Sequence, residues 1–183
     1  MSTRADRDGP DRGRIVRVGV VGCGRATATL HAPALATLEG VRVAALADTD
    51  AGALRRVADR VGPERTASDY RELVDDPTLD AIAVCVPALA HAEVALAAIG
   101  AGKHVFVEKP LALSLPDCDR MVDAAARAGV CAMVGFNTRR RSGRATRSGA
   151  ASWARSTSCR VGSRASTQRC RRGTNGAPRA GAC

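Results

Sequence analysis

The sequence predicts an α/β fold with a doubly wound parallel sheet, followed by a tail outside that fold. Between residues 15 and 137, short apolar runs of strand length alternate with longer segments that have helical apolar spacing. The runs are continuously apolar, so we expect strands buried on both faces, as in a parallel sheet covered by helices. A chain of 183 residues with 45% apolar content suffices for one such domain and a tail.

The predicted elements follow one another in regular order. Five strands are expected at 15–21, 41–47, 81–86, 104–107 and 130–134. Five helices are expected at 25–38, 51–61, 69–74, 92–101 and 115–128. Boundary residues support these assignments, because Asp and Ser cap helix starts and Gly commonly follows helix ends. They are Asp50, Ser114, Gly62, Gly102 and Gly129.

A glycine-rich turn follows the first strand. The missing side chains of Gly22 and Gly24 would let the backbone approach a pyrophosphate at the start of the next helix. Dinucleotide binding is therefore predicted, with a merely structural glycine turn as the alternative. Thr27 occupies the third glycine position of the motif. The residues expected to contact the cofactor here are Gly22, Cys23, Gly24, Arg25 and Ala26.

An acidic residue ends the second strand. Asp48 stands 24 residues beyond Gly24, close to the offset at which a carboxylate accepts hydrogen bonds from the ribose hydroxyls. A carboxylate there would repel a 2′-phosphate, and Thr49 supplies no cation, so NAD is favoured over NADP. Arg55 and Arg56, one helical turn further on, weaken that preference.

A charged pair and a proline end the strand at 104–107. Chemistry in α/β enzymes is found at such carboxyl ends of strands, so Glu108 and Lys109 are placed in the ligand crevice. Pro110 fixes the backbone directly after the lysine. Lys109 is thus a candidate catalytic amine, and a solvated lysine at a strand end is the alternative.

Several short motifs occur in an order that resembles the Gfo/Idh/MocA oxidoreductase family. The resemblance covers residues 15–138, which correspond to the family's N-terminal Rossmann nucleotide-binding domain. The motifs are the glycine turn, His31-Ala32-Pro33-Ala34-Leu35, Pro87 followed by His91, Ala101-Gly102-Lys103-His104-Val105, Glu108-Lys109-Pro110 and Gly135-Phe136-Asn137.

The resemblance implies hydride transfer between a nicotinamide ring and an alcohol carbon of a sugar or cyclitol. Lys109 would donate a hydrogen bond to the reacting oxygen, and His91 would be a second catalytic residue. Pro87, His91, Glu108 and Lys109 would also border the cofactor. Taken by itself, His91 is instead typical of a residue at a helix start. His31 is interpreted as a packing or capping residue.

Charge divides the chain sharply. Residues 1–138 hold 14 Arg, 2 Lys and all 18 acidic residues, a net charge of −2, whereas residues 139–183 hold 12 Arg and no acid, a net charge of +12. The segment 139–183 has no apolar periodicity, so disorder is expected there and in the polar residues 1–14. One explanation of the tail is a frameshifted or mis-assigned gene end. The alternative is a genuine basic arm that binds nucleic acid or another polyanion, attached to a folded domain that is an NAD-binding sensor or otherwise non-catalytic.

The tail also bears on activity. In the resembled family a second domain supplies the substrate pocket and an Asp-x-x-x-His pair whose histidine is the general base. Residues 139–183 contain neither Asp nor His, so we expect the second domain to be absent and catalysis to be weak or lost. Specific nucleic-acid recognition is not expected, since only Trp153 is available for base stacking.

Metal, membrane and export signals are not found in the sequence. Seven Cys without a C-x-x-C pair, and only three His, give no metal-ligand spacing. There is no run of about 20 apolar residues and no apolar segment in residues 1–14, which favours a soluble cytoplasmic protein without a membrane partner. The oligomeric state is left open.

Overall fold

Parallel strands dominate the computed structural model, which describes residues 14–135. The strands are β1 (Val16–Val21), β2 (Val41–Ala47), β3 (Arg65–Ala67), β4 (Ala81–Val84), β5 (His104–Val107) and β6 (Ala132–Val134). They form one parallel sheet in the order β3-β2-β1-β4-β5-β6. The order reverses direction between β1 and β4, which places a ligand crevice outside their carboxyl ends.

Helices connect the strands and cover both faces of the sheet. A π-helical turn (Thr27–His31) runs directly into α1 (Ala32–Ala36), and a 3₁₀ turn (Ala88–Ala90) precedes α4 (His91–Gly100). The other helices are α2 (Ala51–Val61), α3 (Arg71–Val74) and α5 (Leu115–Ala128). Leu35 and Val57 bring α1 and α2 into the core of one face. Leu73, Ile99 and Met121 bring α3, α4 and α5 into the core of the other, so the predicted doubly wound α/β fold is confirmed.

Two predicted helix caps are confirmed in detail. The Asp50 carboxylate accepts hydrogen bonds from the amides of Gly52 and Ala53, which hold the pKa of that carboxyl below its usual range. The Ser114 hydroxyl accepts a hydrogen bond from the Asp117 amide at 3.2 Å. Gly62 and Gly129 end α2 and α5 in the left-handed conformation that glycine adopts most readily.

Element boundaries differ from the prediction where short polar contacts decide them. Strand β3 was not predicted, because only Ala67 of its three residues is buried and no apolar run marks it. Helix α3 begins at Arg71 rather than residue 69, since the Asp69 carboxylate accepts the Arg71 amide in a turn. Strand β6 begins at Ala132 rather than 130, because the Val130 amide still bonds to the end of α5.

The carboxyl ends of the strands lie level with one another. Val21 pairs with Ala47 and Val84, and Val107 pairs with Val84 and Val134. The residues that directly follow these strands therefore share one edge of the sheet. They are Gly22, Asp48, Cys85, Glu108 and Gly135.

Parts of the prediction fall outside the described range. The tail 139–183, and the family-like residues Phe136 and Asn137, are not among the described residues, and of the segment 1–14 only Arg14 is. Within 14–135 no helix is long and apolar enough to span a membrane.

Lys103, a residue of the family-like motifs, is buried on the edge opposite the crevice. It is 7% exposed, and its ammonium donates to the carbonyl oxygens of Asp76 at 2.6 Å and Leu79 at 2.9 Å. Replacing Lys103 by methionine should lower the free energy of unfolding by about 2 kcal/mol, since two carbonyls lose a charged donor. Urea denaturation measures the loss.

The chain supplies its own control for this prediction. Its other lysine, Lys109, is exposed, so Lys109→Met should change the free energy of unfolding by less than about 0.5 kcal/mol. Equal losses in the two variants would contradict a specific role for the Lys103 ammonium.

Candidate functional site

Gly22 lies where the backbones leaving β1 and β4 approach each other. Its φ is +95°, and a Cβ there would lie 2.5 Å from the carbonyl oxygen of Cys85 and 2.8 Å from the amide nitrogen of Val86. These are main-chain atoms directly after β4, so no change of side-chain rotamer relieves the contact. Only glycine fits at this position of the turn.

Gly24 has the opposite environment. A Cβ there would meet nothing within 4 Å, and the residue is exposed. The Ala28 amide donates to the Gly24 carbonyl at 3.0 Å, which starts the helix. The amides of Arg25 and Ala26 stand before that bond, at the start of the helix. Their position and the helix dipole suit them to bind an anionic phosphate. The geometry therefore fits a pyrophosphate beside the turn.

Thr27 fits the third glycine position of the motif through its hydroxyl. The side chain is fully buried and donates a hydrogen bond to the Gly22 carbonyl at 2.6 Å. The bond ties the start of the helix to the turn that precedes it. A larger residue than glycine is thus accommodated without separating helix from strand.

Asp48 fixes the turn as well as bordering the crevice. Its Oδ2 accepts the Cys23 amide at 2.6 Å, and its Oδ1 accepts the Asp50 amide at 2.8 Å. Each carboxylate oxygen retains a second acceptor position, which suits the hydroxyls of a ribose. The carboxylate is held in place before any ligand arrives.

An open crevice of about 670 Å³ lies at this edge of the sheet. Its wall includes Gly22, Gly24, Asp48 and Pro87 of the predicted site residues. The others lie at the same edge but not on this wall: Cys23, Arg25, Ala26, His91, Glu108 and Lys109. The crevice thus unites the glycine turn with the acidic residue, and Lys109 stands beyond it on the β5 side.

The far end of the crevice contains polar residues that were not predicted. The Tyr70 hydroxyl donates to the Glu93 carboxylate at 2.8 Å, and the Arg71 guanidinium lies 4.9 Å from the centre of the Tyr70 ring. Burial, and then the Glu93 carboxylate, raise the pKa of the Tyr70 hydroxyl. The signal that would have revealed them is the position of Tyr70 just after the missed strand β3.

Glu108 and Lys109 occupy the end of β5 as predicted, but their partners were not foreseen. The Glu108 carboxylate contacts His31 Nε2 at 2.6 Å through Oε1 and accepts the Lys109 amide at 2.8 Å through Oε2. The Lys109 side chain is exposed, and the Lys109–Pro110 peptide bond is cis. Lys109 therefore presents its amine to solvent at the edge of the crevice.

His91 is enclosed by backbone. The ring is 1% exposed, with Nδ1 at 2.6 Å from the Pro110 carbonyl and Nε2 at 2.9 Å from the Val86 carbonyl. Both nitrogens thus face groups of the chain itself, in the loops after β4 and β5. A substrate contact, which the resemblance implied, would require one of these contacts to break, whereas the alternative of a residue at a helix start matches its position as the first residue of α4.

Burial raises the pKa of two thiols near the glycine turn, those of Cys23 and Cys85. Cys23 is 2% exposed, and burial followed by the Asp48 charge raises the pKa of its thiol from 9.0 to about 12. Burial likewise raises the pKa of the Cys85 thiol to about 12. Both groups are neutral at physiological pH and take the place of small apolar residues.

Stability should therefore fall in alkaline solution. Above about pH 9 the unfolded Cys23 thiol loses its proton while the folded one keeps it, so the native state binds more protons. The free energy of unfolding should drop by up to about 1.4 kcal/mol per pH unit from this residue between roughly pH 9 and 12. Urea denaturation of the wild type and of Cys23→Ala over this range isolates the effect, and parallel curves would contradict it.

A second depression lies at the opposite edge of the sheet. It measures about 590 Å³, and its walls include Arg17, Glu64, Arg65 and Asp76. These charges pair with one another, Arg17 with Glu64 and Arg65 with Asp76. The residues described here contain no group of three or more His, Cys, Asp or Glu that could hold a metal ion. The predicted site residues lie instead at the edge of the sheet that carries the glycine turn.

Such a sheet and crevice are those of a dinucleotide-binding Rossmann domain. The model of the oxidoreductase family with an NAD-binding Rossmann fold matches residues 16–136. The chain belongs to this family, the Gfo/Idh/MocA oxidoreductases, as its motifs predicted.

Similar proteins and solved structures agree with this assignment. The chain is 40% identical over 124 residues to myo-inositol 2-dehydrogenase of Thermotoga maritima, covering 68% of this chain and 37% of the relative. Among solved structures, an NAD binding oxidoreductase from Klebsiella pneumoniae is 40% identical with a TM-score of 0.62, covering 67% of this chain and 35% of the other.

A further solved structure is the NADP complex of KijD10, a 3-ketoreductase from Actinomadura kijaniata. It is 33% identical with a TM-score of 0.64, and the match covers 67% of this chain and 39% of the other. The chain therefore spans well under half the length of the relatives it matches.

Proposed function

We propose that residues 15–138 are the cofactor domain of an NAD-dependent dehydrogenase that acts on an alcohol carbon of a sugar or cyclitol. The observation that carries the proposal is the crevice where Gly22 and Asp48 meet at the point of strand-order reversal. The inositol dehydrogenase relative supports the class of substrate. When bound, the nicotinamide would accept or supply the hydride.

The residues of the crevice suit the parts of a dinucleotide. Amides at the helix start after Gly24 would hold the pyrophosphate, and Asp48 would accept the ribose hydroxyls. The adenosine half would occupy the end beside Tyr70, which lies past Asp48 toward the β3 edge. The nicotinamide half would extend past Pro87 toward β5.

The preference for NAD over NADP rests on Asp48. Its carboxylate is held by the Cys23 and Asp50 amides, so it cannot turn away from a 2′-phosphate. The wild type should bind NADH at least about tenfold more tightly than NADPH, and Asp48→Asn should reduce that ratio several-fold by removing the charge. Fluorescence titrations with both cofactors measure the ratios.

Two outcomes of these titrations are informative. Thr49→Val, which leaves the carboxylate in place beside an altered neighbour, should keep the wild-type ratio. Equal NADH and NADPH affinities in the wild type would contradict the proposed preference, and the NADP complex of KijD10 makes that comparison pertinent.

Lys109 is the residue proposed to act on substrate. Its exposed ammonium at the end of β5 would donate a hydrogen bond to the reacting oxygen and stabilise negative charge that develops there. For His91 we propose a positioning role, because its ring holds together the loops that carry Pro87 and Pro110. Water exclusion and a general base would have to come from outside residues 15–138.

The 183-residue chain should therefore bind cofactor but turn over poorly. Isothermal titration should show saturable heat with NAD, while NADH production from myo-inositol should stay at background. An absence of heat at millimolar NAD would contradict the binding proposal. Turnover that is lost in Lys109→Met would instead show that the chain is catalytically complete.

A further inference from the structure

His31 is a buried histidine that the proposed chemistry does not use. It ends the π-helical turn and is 2% exposed, with its ring 5.3 Å from that of Phe106 in an edge-on arrangement. Its Nε2 lies 2.6 Å from Glu108 Oε1, and its Nδ1 is buried without a hydrogen-bond partner. One ring nitrogen thus carries the whole polar interaction of the side chain.

The unpartnered nitrogen identifies the tautomer. A proton on Nδ1 would bury an unpaired N–H and would turn the Nε2 lone pair toward a carboxylate oxygen. A proton on Nε2 alone leaves only a lone pair unsatisfied and makes the short contact a hydrogen bond. The contacts therefore indicate that Nε2 is the His31 nitrogen that donates to Glu108.

The bond continues to Lys109 through the same carboxylate. The Glu108 side chain is 12% exposed, and its Oε2 accepts the Lys109 amide at 2.8 Å. Since His31 holds one oxygen, the other is aimed at the amide.

We propose that His31 is a positioning residue of the active site, which fixes Glu108 and through it the backbone of Lys109. The helix that carries His31 begins at the glycine turn, so one rigid element links the pyrophosphate position to the proposed catalytic lysine. The inference rests on the proposed function of Lys109, but the hydrogen bonds that carry it can be measured without cofactor.

The test uses the full chain labelled with ¹⁵N. A long-range ¹H–¹⁵N spectrum of the imidazoles should show His31 protonated at Nε2 only. In His31→Leu the Lys109 amide should exchange with solvent about tenfold faster, because Glu108 loses the donor that holds it. His31→Gln, which keeps an N–H donor at similar reach, should restore slow exchange.

A control separates positioning from general destabilisation. Ile99→Val lies in the core of the opposite face and should lower stability without changing exchange at Lys109. Protonation at Nδ1, or equal exchange in wild type and His31→Leu, would overturn the inference. Exchange at the Lys109 amide that is as fast in Ile99→Val as in His31→Leu would also overturn it.

Titration with NADH distinguishes this failure from failure of the proposed function. If His31 positions Lys109 and the chain binds NADH, the Lys109 amide resonance should shift on titration in the wild type and in His31→Gln, and less in His31→Leu. A wild type that shows the Nε2 tautomer and slow exchange but binds no NADH would contradict the proposed function. It would still support the hydrogen bonds from His31 through Glu108 to the Lys109 amide.

Discussion

Replacing Gly22 by alanine should abolish NADH binding and lower the free energy of unfolding by about 3 kcal/mol or more. Two penalties act together at this position. A side chain is strained at a φ of +95°, and its Cβ would stand 2.5 Å from the carbonyl oxygen of Cys85. Relief requires β1 and β4 to separate at their carboxyl ends, which opens the floor of the crevice. Urea denaturation and an NADH titration measure the two effects.

Gly24→Ala is the matched control for Gly22→Ala. A Cβ at Gly24 meets nothing within 4 Å, so the free energy of unfolding should change by less than about 0.5 kcal/mol. Binding of NADH should still weaken, because the added methyl group stands where the backbone would approach the pyrophosphate. Equal losses of stability in the two variants would show that the close approach at Gly22 is not the cause.

Phe106→Ala should destabilise the chain by about 3 to 5 kcal/mol. The side chain is 1% exposed, lies on β5 inside the sheet and packs edge-to-face with the His31 ring. Its ring also lies against Gly135, where a Cβ would come within 2.9 Å of the ring carbon Cζ. Truncation would leave a cavity under β5, the strand that Glu108 and Lys109 directly follow. Urea denaturation gives the loss.

Two further variants define what the Phe106 result means. Phe106→Leu fills most of the volume and should cost clearly less than the alanine variant. Leu115→Ala removes a side chain that is 80% exposed and should change stability by less than about 0.5 kcal/mol. A loss for Phe106→Ala no larger than that of Leu115→Ala would contradict the assigned place of Phe106 in the core.

Continuous apolar runs were enough to predict most of the fold. Strands β1, β2, β4 and β5 are central and buried on both faces, so their sequences carry an unbroken signal. Edge strand β3 carries none, because its polar residues Arg65 and Thr66 are exposed. The capping residues Asp50 and Ser114 were predictable because their side-chain hydrogen bonds reach no further than three residues along the chain.

Residues of the candidate site were easiest to predict where they directly follow strands. Gly22, Asp48 and Glu108 are in such positions. His31 is not, since its partner Glu108 is 77 residues away and the contact depends on the π-helical turn that sets the direction of the ring. The Tyr70–Glu93 bond at the far end likewise joins two helices, α3 at its start and α4, whose proximity follows from the missed strand. Distant side-chain pairs of this kind need the assembled sheet before they can be recognised.

The close approach constrains position 22 far more than positions 85 and 86. The atoms nearest to the absent Cβ are main-chain atoms of Cys85 and Val86, which every residue type possesses. No compensating change of side chain at position 85 or 86 could make room for a larger residue at 22. Position 85 is therefore open to replacement during divergence, while position 22 admits one amino acid, and the pair should show no covariation.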